Sequence, residues 1–252
     1  MKRNNNIRIK SPEELLVLRE AGRILAGIVE ELKGSLKIGI TTAEIDLIAE
    51  ALIKKSGVGA AFKGYRGFPA CVCVSVNEEV VHGIPGLRVL KDGDIASIDI
   101  GIIHKNYYSD TAVTVGFGEL EPSRRKLLDV TRQALLKGIA EARQGNRLGD
   151  ISHAIQRYVE AKGFSVVRDF VGHGIGVELH EDPEIPNYGE PHQGPFLKAG
   201  MVFAIEPMVN MGGAQTRTLG DGWTVITQDK RPSAHFEHTV AITESGPVIL
   251  TE

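Results

Sequence analysis

Two stretches, LKDGDIASIDI at residues 90–100 and LKAGMVFAIEP at residues 197–207, decide how this chain is organised. Each opens on Leu-Lys-x-Gly, runs on through apolar, strand-like residues, and carries an acid near its end: Asp99 in the first, Glu206 in the second. Leu90, Lys91, Gly93 and Asp99 recur as Leu197, Lys198, Gly200 and Glu206 at an offset of 107. An acid so placed opposes strand propensity, and an unpaired buried charge is prohibitively costly. Two halves of one chain deliver a carboxylate to the same place.

The segments upstream repeat as well. Ser11, Pro12 and Glu14 form a capping box that starts a helix, and Leu15, Leu18, Leu25, Ile28 and Leu32 give it an apolar stripe. Thr41 and Glu44 start a second, with Ile45, Ile48, Ala49, Leu52 and Ile53 on one face. The second half has a helix from about Ser123 to Ala142, then one bearing Ile151, Ala154, Ile155, Tyr158 and Val159. Gly39 to Gly57 spans 18 positions, as does Gly145 to Gly163, and the apolar faces superpose at an offset of 106. Amphipathic helices resemble one another by chance, but matching order, spacing and breakers favour duplication. Strand-like material follows each helix pair: ACVCVSV, DIASIDIGII, YYSDTAVTVGF, MVFAIEPMV and HFEHTVAIT. The expected fold class is α+β: one domain over 1–252 with pseudo-repeats about 11–115 and 122–245. The helix pairs are expected outside a curved, mainly antiparallel sheet.

Bulk properties narrow the partners. The chain has 252 residues, 42% hydrophobic and 24% charged, with a net charge of −3, which gives no reason to expect nucleic acid or an anionic membrane. The start, MKRNNNIRIKSPEELLVLRE, lacks the apolar run of a secretory signal, and no stretch has the length of a membrane span. The two cysteines, Cys71 and Cys73, are expected to point the same way along a strand and are poorly placed to pair. A cytoplasmic location is expected.

In SIDIGIIHKNYYSDTAV, a hairpin turning at His104-Lys105 would set Asp99 directly opposite Asp110 on one face. Like charges so placed destabilise a hairpin unless they share a proton or a cation, or simply face solvent. The repeat favours the cation. Asp110 in SDTAVTV answers Glu237 in EHTVAIT, so each half brings two acids toward one axis. Four carboxylates around two divalent cations form a neutral arrangement. His173, in VGHGIGVELHEDP, lies among Gly172, Gly174 and Gly176, where the backbone can approach a neighbour closely. It is a candidate fifth ligand, although a lone histidine is more often structural. GHGIG lacks the spacing and following helix of a phosphate loop. Oxygen-rich ligation with one imidazole suits Mn, Fe, Co or Zn in a hydrolytic pair.

The order Asp99, Asp110, His173, Glu206, Glu237, within NEEVVHGIP, GHGIG, IEP and EHT, resembles the type I methionine aminopeptidases over about residues 5 to 250. No long insertion separates His173 from Glu206 and no zinc-finger extension precedes the core, so the likeness is to the short bacterial form. The resemblance implies the duplicated pita-bread fold and removal of an initiator methionine when the second residue is small. Two divalent metals are implied: Asp99 on one, His173 and Glu206 on the other, Asp110 and Glu237 bridging. Glu206 would move the proton. His82 and His180 would contact substrate around the scissile amide, and Tyr65, Phe68, Cys73, Leu179 and Trp223 would form the methionine pocket. Asn77 and Ser233 match positions that hold a monovalent cation in some members. His235 departs from the glutamine usual there, beside the ligand Glu237. The implied partner is the N-terminal Met-Xaa of nascent chains, with a transient ribosome contact and a monomeric enzyme. The alternatives are an Xaa-Pro aminopeptidase and a non-catalytic binding module of the same fold.

Overall fold

The computed structural model describes residues 7–252, so the first six residues of the charged N-terminal stretch lie outside it. Helix α1 (Pro12–Ser35) begins at a capping box: Glu14 N–H donates to Ser11 Oγ at 3.3 Å, and Ser11 N–H to Glu14 Oε2 at 2.7 Å. Helix α2 (Thr42–Lys55) begins the same way on Thr41 and Glu44. Helices α3 (Pro122–Glu141) and α4 (Leu148–Ala161) form the second pair. Both α2 and α4 are 14 residues long. Gly39, Gly57, Gly145 and Gly163 all adopt left-handed φ, from 69° to 93°, where glycine carries no Cβ penalty.

Among the described residues, nine strands make the main sheet: β1 (Gly59–Ala60), β2 (Val72–Val76), β3 (Ile95–His104), β4 (Tyr107–Gly116), β5 (Gly172–Gly174), β6 (Glu181–Ile185), β7 (Val202–Ile205), β8 (Glu237–Thr243) and β9 (Gly246–Ile249). The order is β1-β3-β4-β8-β7-β5-β6, with β2 also on β3 and β9 also on β8. Every pairing among the described strands is antiparallel. Two three-stranded sheets flank it, one formed by Ser165–Val166, Met208–Asn210 and Ser233–His235, the other by Glu79–Val81, Thr216–Thr218 and Val225–Thr227.

Period-two alternation sends the two faces of the main sheet to different environments. Ile98, Ile100 and Ile102 of β3 pack with Leu25, Ile28, Ile45 and Ala49 of α1 and α2. Phe203, Ile205, Val240 and Ile242 pack with Leu127, Leu135, Ile151 and Ile155 of α3 and α4. The helix pairs therefore cover one face, and the alternate residues, including the acids, occupy the other.

The β3–β4 hairpin corrects one expectation. Its turn is Lys105-Asn106, both left-handed (φ 48° and 67°), and His104 pairs with Tyr107. This is the geometry two-residue hairpins favour, and asparagine tolerates it better than histidine. Asp99 thus faces Ala112 and Asp110 faces Gly101, so the two aspartates are diagonal neighbours, not directly opposite. The pairing moved by two positions in sum, which preserves the face; a one-residue slip would have separated them. A second correction concerns the cysteines. Cys71 precedes β2 and packs in the α1–α2 core, whereas Cys73 lies opposite Asp99 and packs in another cluster, so they do not share a face. Both are free and buried. Among the described residues, no helix is long and apolar enough to cross a membrane.

Candidate metal centre and cleft

Register brings four of the five predicted ligands to one face, and Glu206 follows just past the end of β7. Asp99, Ala112 and Glu237 form a row across β3, β4 and β8. His173 of β5 pairs with Ala204 of β7, which pairs with Thr239 of β8. Asp110 lies two residues from Ala112 within β4, so alternation puts it on that same face, and Glu206, just past the end of β7, borders the same cleft. In these rows Ala112 stands between Asp99 and Glu237, and Ala204 between His173 and Thr239. Two threonines tie the central strands together. Thr239 Oγ donates to Asp110 O at 2.8 Å and accepts from Asp110 N–H at 3.1 Å, and Thr111 Oγ donates to Glu237 O at 2.6 Å.

Glu206 stands one residue past β7. Pro207 ends the strand, having no N–H for the ladder, and Met208 starts a strand of a different sheet. The acid therefore sits where the chain leaves the main sheet, with Asn187 Nδ2 holding its carbonyl at 3.1 Å.

The glycines around His173 are required by close backbone approach. A Cβ on Gly172 would lie 2.4 Å from Ala204 O, and one on Gly174 2.3 Å from Asp182 O. Gly172→Ala is accordingly expected to destabilise the chain by about 1–3 kcal/mol and to weaken metal binding, checked by denaturant midpoint and metal titration.

Burial dominates the electrostatics. It raises the carboxyls of Asp99, Glu206 and Glu237 well above their ordinary range, reinforced in each by the charge on Asp110. Burial likewise pushes Asp110 up to about 7. Asp99 Oδ1, Asp110 Oδ1 and Glu237 Oε1 are buried and accept no hydrogen bond among the described residues. Such a set fits a cation: several acceptors, no donors, and raised affinity for any positive charge. Ligand atoms of Asp110, His173 and Glu237 all lie within 4.8 Å of one another; Asp99 and Glu206 border the same cleft but fall outside that group. His173 is kept neutral by burial, which lowers it to about 4. Its Nδ1 lies 2.9 Å from Gly174 O, and donating there turns the Nε2 lone pair toward the acids, with Glu206 Oε1 3.5 Å away.

The cleft, about 140 Å³, is lined by these ligands and by Tyr65, Phe68, Cys73, His82, Leu179, His180 and Trp223. All the predicted pocket residues thus meet in one place. Tyr65 stacks on His180 with its hydroxyl 2.8 Å from Nδ1, and Phe68 meets Trp223 edge to face. Burial, then the neighbouring His173 and Arg66, lower His180 to about 3. His82, left-handed at φ 59°, is held edge to face by Phe170 and Trp223 and is lowered by burial.

Sequence reasoning missed two participants. Phe62 and Arg66 also line the cleft. His235, marked in the sequence only as a departure beside the ligand Glu237, is buried with Nε2 3.5 Å from Glu206 Oε2 and neither ring nitrogen hydrogen-bonded among the described residues. Its place three residues before His238, next to the EHT motif, was the available signal. Asn77 and Ser233 do meet, Ser233 N–H donating to Asn77 O at 2.8 Å. The Asn77 side chain, however, is engaged by Asp94, Ile95 and Arg124, whose guanidinium is 2.6 Å from Asn77 Oδ1.

Residues 17–244 match metallopeptidase family M24. The chain belongs to that family. It is 60% identical to methionine aminopeptidase 1 of Bacillus subtilis (strain 168), over 96% of this chain and 98% of that one. It is 55% identical to the methionine aminopeptidase of Clostridium perfringens (strain 13 / Type A), over 96% and 98%. The crystal structure of methionine aminopeptidase from Thermotoga maritima superposes with a TM-score of 0.96 at 48% identity, covering 98% and 99% of the two chains. The M24 protein therefore has the pita-bread fold, as the motif order implied, and is a metal-dependent hydrolase.

Proposed function

We infer that this M24 protein is a methionyl aminopeptidase, removing the N-terminal methionine of proteins and peptides when the second residue is small. The observation that carries this reading is the union, in one cleft, of a buried acid-and-imidazole cluster with orphaned oxygens and an aromatic pocket containing Cys73. Whole-length likeness to methionine aminopeptidases supports it. A polarizable sulfur side chain suits such walls.

Asp99, Asp110, His173, Glu206 and Glu237 would hold two divalent cations, drawn from Mn, Fe, Co or Zn. Bound there, the cations supply Lewis acidity and lower the pKa of coordinated water toward neutrality. The chain's own groups do the rest. Glu206, at the strand end that borders the cleft, takes the proton from water and returns it to the leaving amine. His180, neutral and oriented by Tyr65, contacts the substrate carbonyl, and His82 orients the amide nitrogen. The free amino terminus is recognised on the Asp99 side, which restricts cleavage to the first bond. The same reading takes residues 1–252 as one catalytic domain of two pseudo-repeats. It has a monomer acting in the cytoplasm on nascent chains, touching the ribosome transiently. A monovalent cation beside Asn77 and Ser233 is part of it.

Met-Gly-Met-Met compared with an Xaa-Pro dipeptide tests the assignment. Cleavage of the first, at least about 100-fold faster and abolished by chelation, is expected. Preference for the prolyl substrate, or activity indifferent to chelator, would overturn it.

A further inference from the structure

Lys10 and Glu181 form an ion pair whose side chains are only 2% and 5% exposed, though 171 positions separate them. The carboxylate's other oxygen, Oε1, accepts from Val177 N–H at 2.7 Å and Glu178 N–H at 3.2 Å, closing the turn that leads into His180. Glu181 then opens β6 opposite Gly174, the neighbour of His173. The segment carrying Lys10 is pinned in its turn, Lys10 N–H donating to Gly200 O at 2.7 Å. Two motif glycines make room for it. A Cβ on Gly176 would lie 2.3 Å from Lys10 Cε, and one on Gly200 2.8 Å from Lys10 O.

Burying an ion pair incurs a desolvation penalty that its attraction often fails to recover, and apolar residues of similar volume would hold the fold as well. What the pair adds is direction. One oxygen faces a fixed ammonium and the other two backbone N–H groups, so the carboxylate has a single orientation, and the turn is fixed with it. We propose that Lys10 is a positioning residue for His180, acting through Glu181 and the turn at 177–180. This rests on the aminopeptidase reading and on the part His180 plays in it. The imidazole itself is met by Tyr65, half-buried and next to Arg66 at φ 48°, and by the His173 ring at 4.3 Å between centroids, whereas the main chain leading into it is held by the Glu181 turn. Displacing a substrate-contacting group by 1 Å can cost up to about 100-fold in rate.

Lys10→Met keeps the stem and removes the charge. Lys10→Met/Glu181→Gln neutralises both partners while leaving an acceptor for Val177 and Glu178. With manganese bound, Lys10→Met is expected to lower kcat on Met-Gly-Met-Met about tenfold with KM within about threefold. Its metal content stays that of the parent. Hydrogen exchange at Val177 and Glu178 is expected to accelerate at least about tenfold while β3 and β8 stay protected. The double variant regains the parent's melting temperature, yet its kcat stays low. Recovery of kcat in step with melting temperature would reduce the pair to a stabilising contact and overturn the proposal. So would exchange at 177 and 178 within about twofold of the parent in Lys10→Met. A parent chain that leaves the peptide intact defeats the aminopeptidase reading instead, and the exchange measurement still judges the clamp.

Discussion

Asp110→Asn is expected to lower kcat/KM on Met-Gly-Met-Met by at least about 1,000-fold, a loss of about 4 kcal/mol, while leaving the chain folded. After burial, the charge on Asp110 is the next cause that raises each of its three acidic neighbours, Asp99, Glu206 and Glu237. It also shares the tightest group of ligand atoms with His173 and Glu237. Removing its charge takes one anion from the centre of the cation site and relieves the repulsion that the metal-free cluster carries. Metal affinity falls, while the metal-free variant melts no lower than its parent. The substitution is nearly isosteric, and Thr239 continues to hold the main chain of residue 110 from both sides. Elemental analysis and thermal melting on the same preparation separate these effects. A variant that retains the parent's metal stoichiometry and turns over within tenfold of it would show that Asp110 lies outside the reacting centre.

Much of this arrangement was legible because alternation and repetition are properties of the chain itself. The capping boxes at Ser11 and Thr41 start helices where read, and the residues flanking Asp99 in IASIDIGII point to the helices while the acid points away. The hairpin register was not legible. It depends on which pair of residues accepts left-handed φ, and in His-Lys-Asn-Tyr the sequence leaves two placements open. The inference about the acids survived only because the two placements share parity. Cys71 was misread for a related reason: a residue just outside a strand is not bound by its alternation. The position of His235 beside Glu237 was legible, but its approach to Glu206 was not, because that is a contact across sheets. His235 lies on a strand paired with Met208–Asn210, and that strand's register against the main sheet, which brings Nε2 to Glu206, has no local signature. The Lys10–Glu181 pair is invisible for the same reason, a lysine before a helix cap being ordinarily a solvated charge.

Metal-free protein is expected to lose stability as pH rises above about 6.5, and divalent cation is expected to restore it. The sign follows from opposing groups. A carboxyl whose folded pKa is raised contributes stability that is fully present below its unfolded pKa and is lost as pH climbs through the folded one. Asp110, displaced from 3.8 to about 7, and Asp99, Glu206 and Glu237, displaced upward with it, all act in this direction. Buried histidines act oppositely. His173 at about 4, with His180 and His235 at about 3, contributes stability above an unfolded pKa of 6.5 and loses it as pH falls. Below pH 6.5 the two sets oppose each other. Above it the histidines are neutral in both states, and only the carboxyls still titrate, so the slope turns negative. The displacement of Asp110 alone corresponds to on the order of 4 kcal/mol, most of it lost between pH 3.8 and 7, so above 6.5 the slope comes chiefly from Asp99, Glu206 and Glu237. Manganese at about 100 times its dissociation constant would return about 2.7 kcal/mol and remove most of that slope, because the bound charge permits every carboxyl to ionise in the folded state. Denaturant midpoints at pH 6.5, 7.5 and 8.5, with chelator and with manganese, read this out. A chelated protein whose stability holds or rises across that range would mean the acids already have partners when no cation is present.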